Sequence, residues 1–328
     1  MNTIKKIISI IMVLVLFAAC GGKIEKEEDT KIQVVTTIFP FYDWCRKLAA
    51  GSNNVVMTQI VSSSSDLHSY QPTAKDILTI TQADIFIYGG GESDEWVQGV
   101  LEQSENADLK TIDLLKELGS AALEEEIKEG MEADHDHEHE EEHEEEHDHE
   151  HEEGEYDEHV WLSLKNTQLF VRSIAAALCE KDPENKEVYE ANLADYLTKL
   201  SDLDALYQET ADGKNKQILL FADRFPFLYL CKDYGLDYYA AFNGCSAETE
   251  ASFETIRFLA EKAKEYSLNV ILTIEDSNVK IAETVKENAD NADIVILSMN
   301  SMQSGMSEND DYLSLMEKNL EVLKKALQ

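Results

Sequence analysis

The chain has 328 residues and a formal net charge of −38 at pH 7, with 66 acidic residues against 28 lysines and arginines. A field of that sign repels a phosphate backbone and excludes nucleic acid as a partner, while it draws cations over a screening length of about 8–10 Å. At 43% apolar residues the chain can bury a sizeable core, and its length suggests two domains.

The first residues read as an export leader. Lys5-Lys6 precedes an apolar run from Ile7 to Phe17, interrupted only by Ser9, and then Ala18-Ala19-Cys20-Gly21-Gly22. The run is short for a membrane span and ends in small residues, as a cleaved signal peptide over residues 1–19 would. Leu16-Phe17-Ala18-Ala19-Cys20 resembles a bacterial lipobox, which would make Cys20 the lipid-modified first residue of the mature protein. Residues 20–31 would then be a polar tether on the outer face of the cell membrane. Cleavage of an ordinary secreted protein nearby is the alternative. The other cysteines, Cys45, Cys179, Cys231 and Cys245, show no zinc-ligand spacing. Disulfides are permitted outside the cytoplasm, and buried free thiols are equally open.

From Ile32 the pattern alternates. Strands are expected at Ile32–Thr37, Val55–Val61, Asp84–Tyr88 and within Leu109–Leu114, with helices at Phe39–Ala50, Thr73–Gln82 and Glu92–Gln103. This alternation predicts a parallel sheet covered on both faces. Leu164–Cys179 reads as a helix. Residues 184–211 carry Val188, Tyr189, Leu193, Tyr196, Leu197, Leu200, Leu203 and Leu206-Tyr207 at a spacing near 3.6, the mark of one long helix. Asp182 suits its N-cap and Pro183 its first turn. Strands return at Gln217–Phe221, Asp237–Phe242, Val270–Ile274 and Ile294–Leu297. Helices lie near Phe225–Tyr234, Ser252–Tyr266 and Asn278–Asn288, and Tyr312–Leu327 closes the chain. The expected architecture is two α/β lobes with parallel-rich sheets, 32–181 and 213–328, joined by a rigid helix over 182–212. A helix spanning both lobes should permit little hinge motion.

The most unusual stretch is inserted within the first lobe. Residues 124–158 hold 21 acids against one lysine, supplying −20 of the net charge, and contain His135, His137, His139, His143, His147, His149 and His151. No apolar residue interrupts the run from Asp134 onward, so it cannot bury a core and is expected to be a mobile, solvated loop within 124–156. Glutamate and aspartate alone would make a solubilising loop; the imidazoles suit zinc and similar ions, so the seven histidines are candidate accessory metal contacts. The remaining two histidines are His68, in a turn after a strand, and His159, where the acidic run rejoins folded sequence. Both are expected at the strand-end edge where open α/β folds bind ligands. Each taken alone could equally be a structural histidine.

Three motifs carry a resemblance. Asp66-Leu67-His68-Ser69-Tyr70-Gln71-Pro72-Thr73, Gly89-Gly90-Gly91-Glu92-Ser93-Asp94-Glu95-Trp96 and Asp157-Glu158-His159-Val160-Trp161-Leu162-Ser163 are similar to those of the zinc/manganese solute-binding lipoproteins of ABC transporters. The likeness runs from 32 to 328, and a His-rich acidic insert before the second ligand motif is typical of the zinc-specific branch. It implies one metal in the cleft between two lobes, no enzymatic activity, and delivery to a membrane permease by a lipid-anchored monomer. It also implies that His68 and His159 are the first two ligands. The second half departs from the pattern. The position matching the family's third ligand is Ala222, so Asp223, one residue on, is the candidate; it could instead cap the following helix. Asn300 matches the fourth position, where an amide oxygen is a poor zinc ligand. Glu275, at the end of a strand, is a further candidate. Two imidazoles and a carboxylate with water fit tetrahedral zinc, whereas manganese would prefer more oxygens. The same set describes a catalytic zinc site, but H-E-x-x-H spacing occurs only inside the acidic run, at His139–His143 and His143–His147, and no G-x-S-x-G or P-loop pattern occurs. A surface metal buffer or adhesin is the remaining alternative.

Overall fold

In the computed structural model, strand β1 (Ile32–Thr36) leads into α1 (Phe39–Leu48), β2 (Val55–Gln59), α2 (Ala74–Thr81), β3 (Ile85–Tyr88), α3 (Trp96–Glu102), β4 (Lys110–Asp113) and α4 (Leu114–Leu118). The second half runs α5 (Leu164–Lys181), α6 (Lys186–Asp212), β5 (Ile218–Arg224), α7 (Leu228–Tyr234), β6 (Asp237–Phe242), α8 (Phe253–Glu265), β7 (Val270–Ile274), α9 (Lys280–Asn288), β8 (Val295–Met299) and α10 (Tyr312–Ala326). The structure describes residues 31–62, 65, 67–132, 155–213, 217–246, 250–304, 306 and 309–328. The leader with Cys20 and the seven loop histidines lie outside the described residues, as does Asp66.

Each half forms a four-stranded sheet, ordered β2-β1-β3-β4 and β6-β5-β7-β8, and every pairing is parallel. The central strands are buried on both faces: β7 entirely, β1 at four of its five positions. Their apolar runs are what sandwiching between helices requires. The edge strands β2 and β8 are only partly covered. Both sheets turn over between their two central strands, β1 and β3 in one and β5 and β7 in the other. Ligand crevices open at the carboxyl ends of the strands there.

Local chemistry sets several helix starts. Thr73 and Asp76 close a reciprocal capping box on α2. Ser163, Ser252 and Asp311 each accept a backbone N–H of the first turn of α5, α8 and α10. The expected start of the long helix is different. Residues Pro183–Asn185 form a separate short 3-10 turn, and Asp182 gives its carboxylate to the Tyr189 hydroxyl (2.5 Å) and the Asn185 side-chain amide (2.8 Å). Helix α6 then runs 27 residues, about 40 Å.

The two sheets do not have separate cores. One apolar cluster runs from Phe41 and Trp44 of α1 through Trp161, Phe170 of α5, and Tyr189 and Tyr207 of α6. It continues to Phe221 of β5, Phe227 and Tyr312 of α10. Smaller clusters fill the outer faces, around Phe86 in the first sheet and Ile271 in the second. Polar bonds reinforce the shared core. Trp161 Nε1 donates to Ser301 O (2.8 Å), Tyr312 OH to Trp161 O (2.7 Å) and Ser163 Oγ to Asp233 Oδ2 (2.6 Å). Ile32–Gln328 thus packs as one unit. Among the described residues no helix is long and apolar enough to cross a membrane.

Candidate metal centre

The two ends of the acidic insert return to one place. Glu124 and Tyr156 form an antiparallel bridge, Glu125 N donates to Glu155 O (2.8 Å) and Asp157 N to Leu123 O (2.9 Å). The Tyr229 hydroxyl of α7 ties both ends down, accepting from Leu123 N (3.0 Å) and donating to Asp157 O (2.9 Å). The segment Asp157-Glu158-His159 is thereby fixed and fully buried, behind a cleft of about 730 Å³ whose lining includes His68, Ser93 and Cys245.

His68 arrives from the other side, on the turn after β2. Its ring centroid is 5.5 Å from that of His159, with the planes inclined at 58°. Carboxylates hold the Nδ1 side of both rings. Asp157 Oδ1 lies 3.2 Å from His159 Nδ1 and also accepts the His159 backbone N–H at 2.8 Å. His68 Nδ1 lies 2.8 Å from Ser93 Oγ and 3.3 Å from Glu158 Oε1, and Ser93 Oγ in turn donates to Glu158. A carboxylate only accepts, so each Nδ1 carries the proton and each Nε2 presents a lone pair. Both lone pairs meet one donor: Gln303 Nε2 lies 2.9 Å from His68 Nε2 and 2.6 Å from His159 Nε2. Two neutral imidazoles with converging Nε2 atoms, each backed by a carboxylate, are the arrangement in which proteins hold a divalent metal.

Close approach makes two glycines necessary here. A Cβ on Gly91, whose φ is +81°, would lie 2.7 Å from Glu158 Cβ, and one on Gly244 would lie 2.7 Å from His159 Cε1. Glu158 is buried, which favours its protonated form, but the facing His68 and His159 and the Ser93 hydroxyl outweigh that and keep its pKa below the ordinary value. Burial likewise raises Asp94, to about 7, with Glu158 adding to the effect.

Four groups place donor atoms within 4.8 Å of one another: His68, Glu158, His159 and Cys245. Cys245, on the loop after β6, is the one contributed by the second sheet. Burial and then the carboxylates of Glu158, Glu125, Asp157 and Glu92 hold its thiol protonated well above the usual range, and only a cation at the site would offset that charge. All four described cysteines are free thiols.

The sequence candidates from the second half are placed otherwise. Asp223 does line the cleft, but β5 extends past the expected Phe221 with a register shift, which makes Asp223 a strand residue. Its Oδ2 accepts Ile274 N (3.0 Å) and its Oδ1 accepts Arg224 N (2.9 Å). It does not cap α7 either, whose N-cap is Phe227. Glu275 accepts Ser301 N (2.6 Å), Ser301 Oγ (2.6 Å) and Gln303 N (3.2 Å). Asn300 closes a local turn, its Oδ1 accepting Met302 N (2.9 Å). Asp223 and Glu275 line the cleft with their oxygens engaged, Asn300 does not line it, and the four-group cluster includes none of the three. Gln303 and Cys245 were not singled out by the sequence reading; a polar residue in the loop after each strand of the second sheet was the available signal.

Comparison with known proteins gives one consistent result. The sequence profile of the family described as "zinc-uptake complex component A periplasmic" matches residues 34–326. The high-affinity zinc uptake system protein ZnuA of Bacillus subtilis is 32% identical over 320 residues, covering 95% of this chain and 94% of that protein. Among solved structures, the metal-dependent lipoprotein YcdH from Bacillus subtilis superposes with a TM-score of 0.71 at 27% identity, covering 91% of this chain and all of that one. Zn(II)-bound AdcA from Streptococcus pneumoniae superposes with a TM-score of 0.70 at 26% identity; 90% of this chain is covered, and it spans 58% of AdcA.

Proposed function

This chain belongs to the zinc-uptake complex component A family, and from that membership we propose that it captures Zn2+ outside the cytoplasm and delivers it to the permease of an ABC transporter. Zinc is cargo here, held by His68 and His159 through Nε2. The observation that carries this reading is the convergence of those two lone pairs on one point, with Asp157 and Glu158 fixing the opposite nitrogens. Cys245 is the proposed donor from the second sheet, its thiol losing a proton when the cation arrives. Imidazole and thiolate favour zinc over manganese, which seeks oxygen ligands. Zinc uptake and Zn(II) binding in the named relatives support the same cargo.

Anchoring through lipidated Cys20 fits this role, because a tethered binding protein stays near its permease. The insert histidines would raise the local zinc concentration at the cleft mouth, since both insert ends are rooted beside His159. A zinc hydrolase is less well supported: its general base would be Glu158 or Asp157, and both carboxylates are already engaged, Glu158 by Ser93 and His68 and Asp157 by the backbone and ring of His159.

Calorimetric zinc titration of His68→Ala and His159→Ala tests the ligand set. Each is expected to weaken the tight site by more than the roughly 10–100-fold typical of losing an outer-shell partner. Retention of wild-type affinity in both would exclude the site.

A further inference from the structure

Gln303 is buried at the tip of the segment after β8, 4% exposed, and its amide nitrogen is shared between two imidazoles. Its distances, 2.9 and 2.6 Å, are those of hydrogen bonds. A metal would stand about 2.0–2.1 Å from each imidazole nitrogen, along the same lone pairs. One lone pair cannot serve both a proton donor and a metal. The amide therefore has to turn away before zinc can take both rings.

The surroundings hold Gln303 in this pose. Glu275 takes the backbone N–H of Ser301 and of Gln303, and Trp161 Nε1 donates to Ser301 O. Ser301 Oγ gives its one proton to Glu275 Oε1 at 2.6 Å, so the two imidazole lone pairs, which accept only from the amide's N–H groups, are what turn its nitrogen toward the rings. Between them Met302 has a φ of +60°, in the left-handed region that a side chain with Cβ seldom adopts, and it is fully buried. A braced backbone with one hinged side chain lets the amide swing while the segment stays in place.

We infer that Gln303 is a built-in competitor for the metal: its carboxamide holds the Nε2 lone pairs of His68 and His159, yields to zinc, and retakes them as zinc leaves. The inference rests on the reading that zinc binds those two nitrogens. It assigns a purpose to the contact. A carrier must release its cargo, and a donor poised beside the ligands keeps affinity below its ceiling and stabilises the imidazoles once the ion departs. It also links the metal to the second sheet through a residue that is not required as a ligand.

The test uses the full chain and zinc alone. Gln303→Leu keeps the side chain's bulk and removes both donors; Gln303→Ala serves as a second variant, with circular dichroism confirming the fold of each. Zinc affinity is measured by competition with a chromophoric chelator, and release by mixing with excess EDTA. The expected result is about tenfold tighter binding, the worth of two ordinary hydrogen bonds, expressed mainly as slower release. Weaker binding would make Gln303 a ligand or a structural support of the rings, and unchanged binding would remove it from the site; either overturns the inference. If His68→Ala and His159→Ala still lose tight zinc, the ligand reading survives that failure, so the two can be told apart.

Discussion

At His159, burial and charge pull in opposite directions. Burial disfavours the imidazolium, but Asp157 beside Nδ1, with Glu158 and Glu125 farther off, outweighs it and raises the pKa above the ordinary imidazole value. Protons compete with zinc at this ring, so zinc affinity should fall as pH is lowered through that raised value, starting above about 6.5. Stability of the metal-free fold moves the other way. A raised folded-state pKa contributes stability that is complete below the unfolded value and is lost as pH rises through the folded one. Zinc titrations at pH 7.5, 6.5 and 5.5 should show weakening already by 6.5; a flat affinity across the three would rule out imidazole ligation. The two histidines were legible in the sequence because each sits in a distinctive motif at the end of a strand or insert. The partners from the second sheet were not. Asp223, Glu275 and Asn300 have plausible chemistry, but whether a side chain at a strand end faces the cleft or satisfies backbone N–H groups depends on register, and the shift near Phe221 decides it for Asp223.

The insert's first arm is the element with the most direct bearing on the site. Residues 122–132 leave the first sheet and lie along the second. Lys128 stacks 3.8 Å over the Tyr238 ring and pairs with Asp237, Lys232 pairs with Glu126 (2.5 Å), and Glu132 N donates to Ala241 O (2.9 Å). Tyr229 is its clasp. Replacing Tyr229 by Phe leaves Leu123 N–H and Asp157 C=O without their shared partner, a cost of about 1–3 kcal/mol. Faster hydrogen exchange over 123–126 and at Asp157, with a lowered Tm, is the expected outcome; protection equal to wild type would show that the arm holds without the clasp. Parallel strands such as β1 and β7 were readable as continuous apolar runs, and α6 by its 3.6 period. The arm was not readable, because five of its eleven residues are acidic, its apolar residues follow neither a helix nor a strand period, and its contacts are long-range. Likewise α4 was missed at five residues, and the expected helix over 92–103 divides into a 3-10 turn at Glu92–Asp94 and α3, with Asp94 accepting the Gly89 and Gly90 N–H groups.

For the whole molecule, a single core reaching through α1, α5, α6, α7 and α10 packs the two sheets together, and little lobe motion is expected of such a frame. On the proposed ligand set, zinc selectivity and release would fall to Cys245, Gln303 and the charge around them. The acidic insert is proposed to gather cations beside this site, where its described ends are rooted, and the site is expected to form without residues 134–154. The measurement that bears most directly on this account is zinc stoichiometry and affinity, by calorimetry with native mass spectrometry, for the protein lacking residues 134–154. One tight zinc should survive the deletion and disappear on adding His159→Ala. Loss of all tight zinc on deleting the loop alone would place the metal in the histidine-rich insert and contradict a site between the sheets.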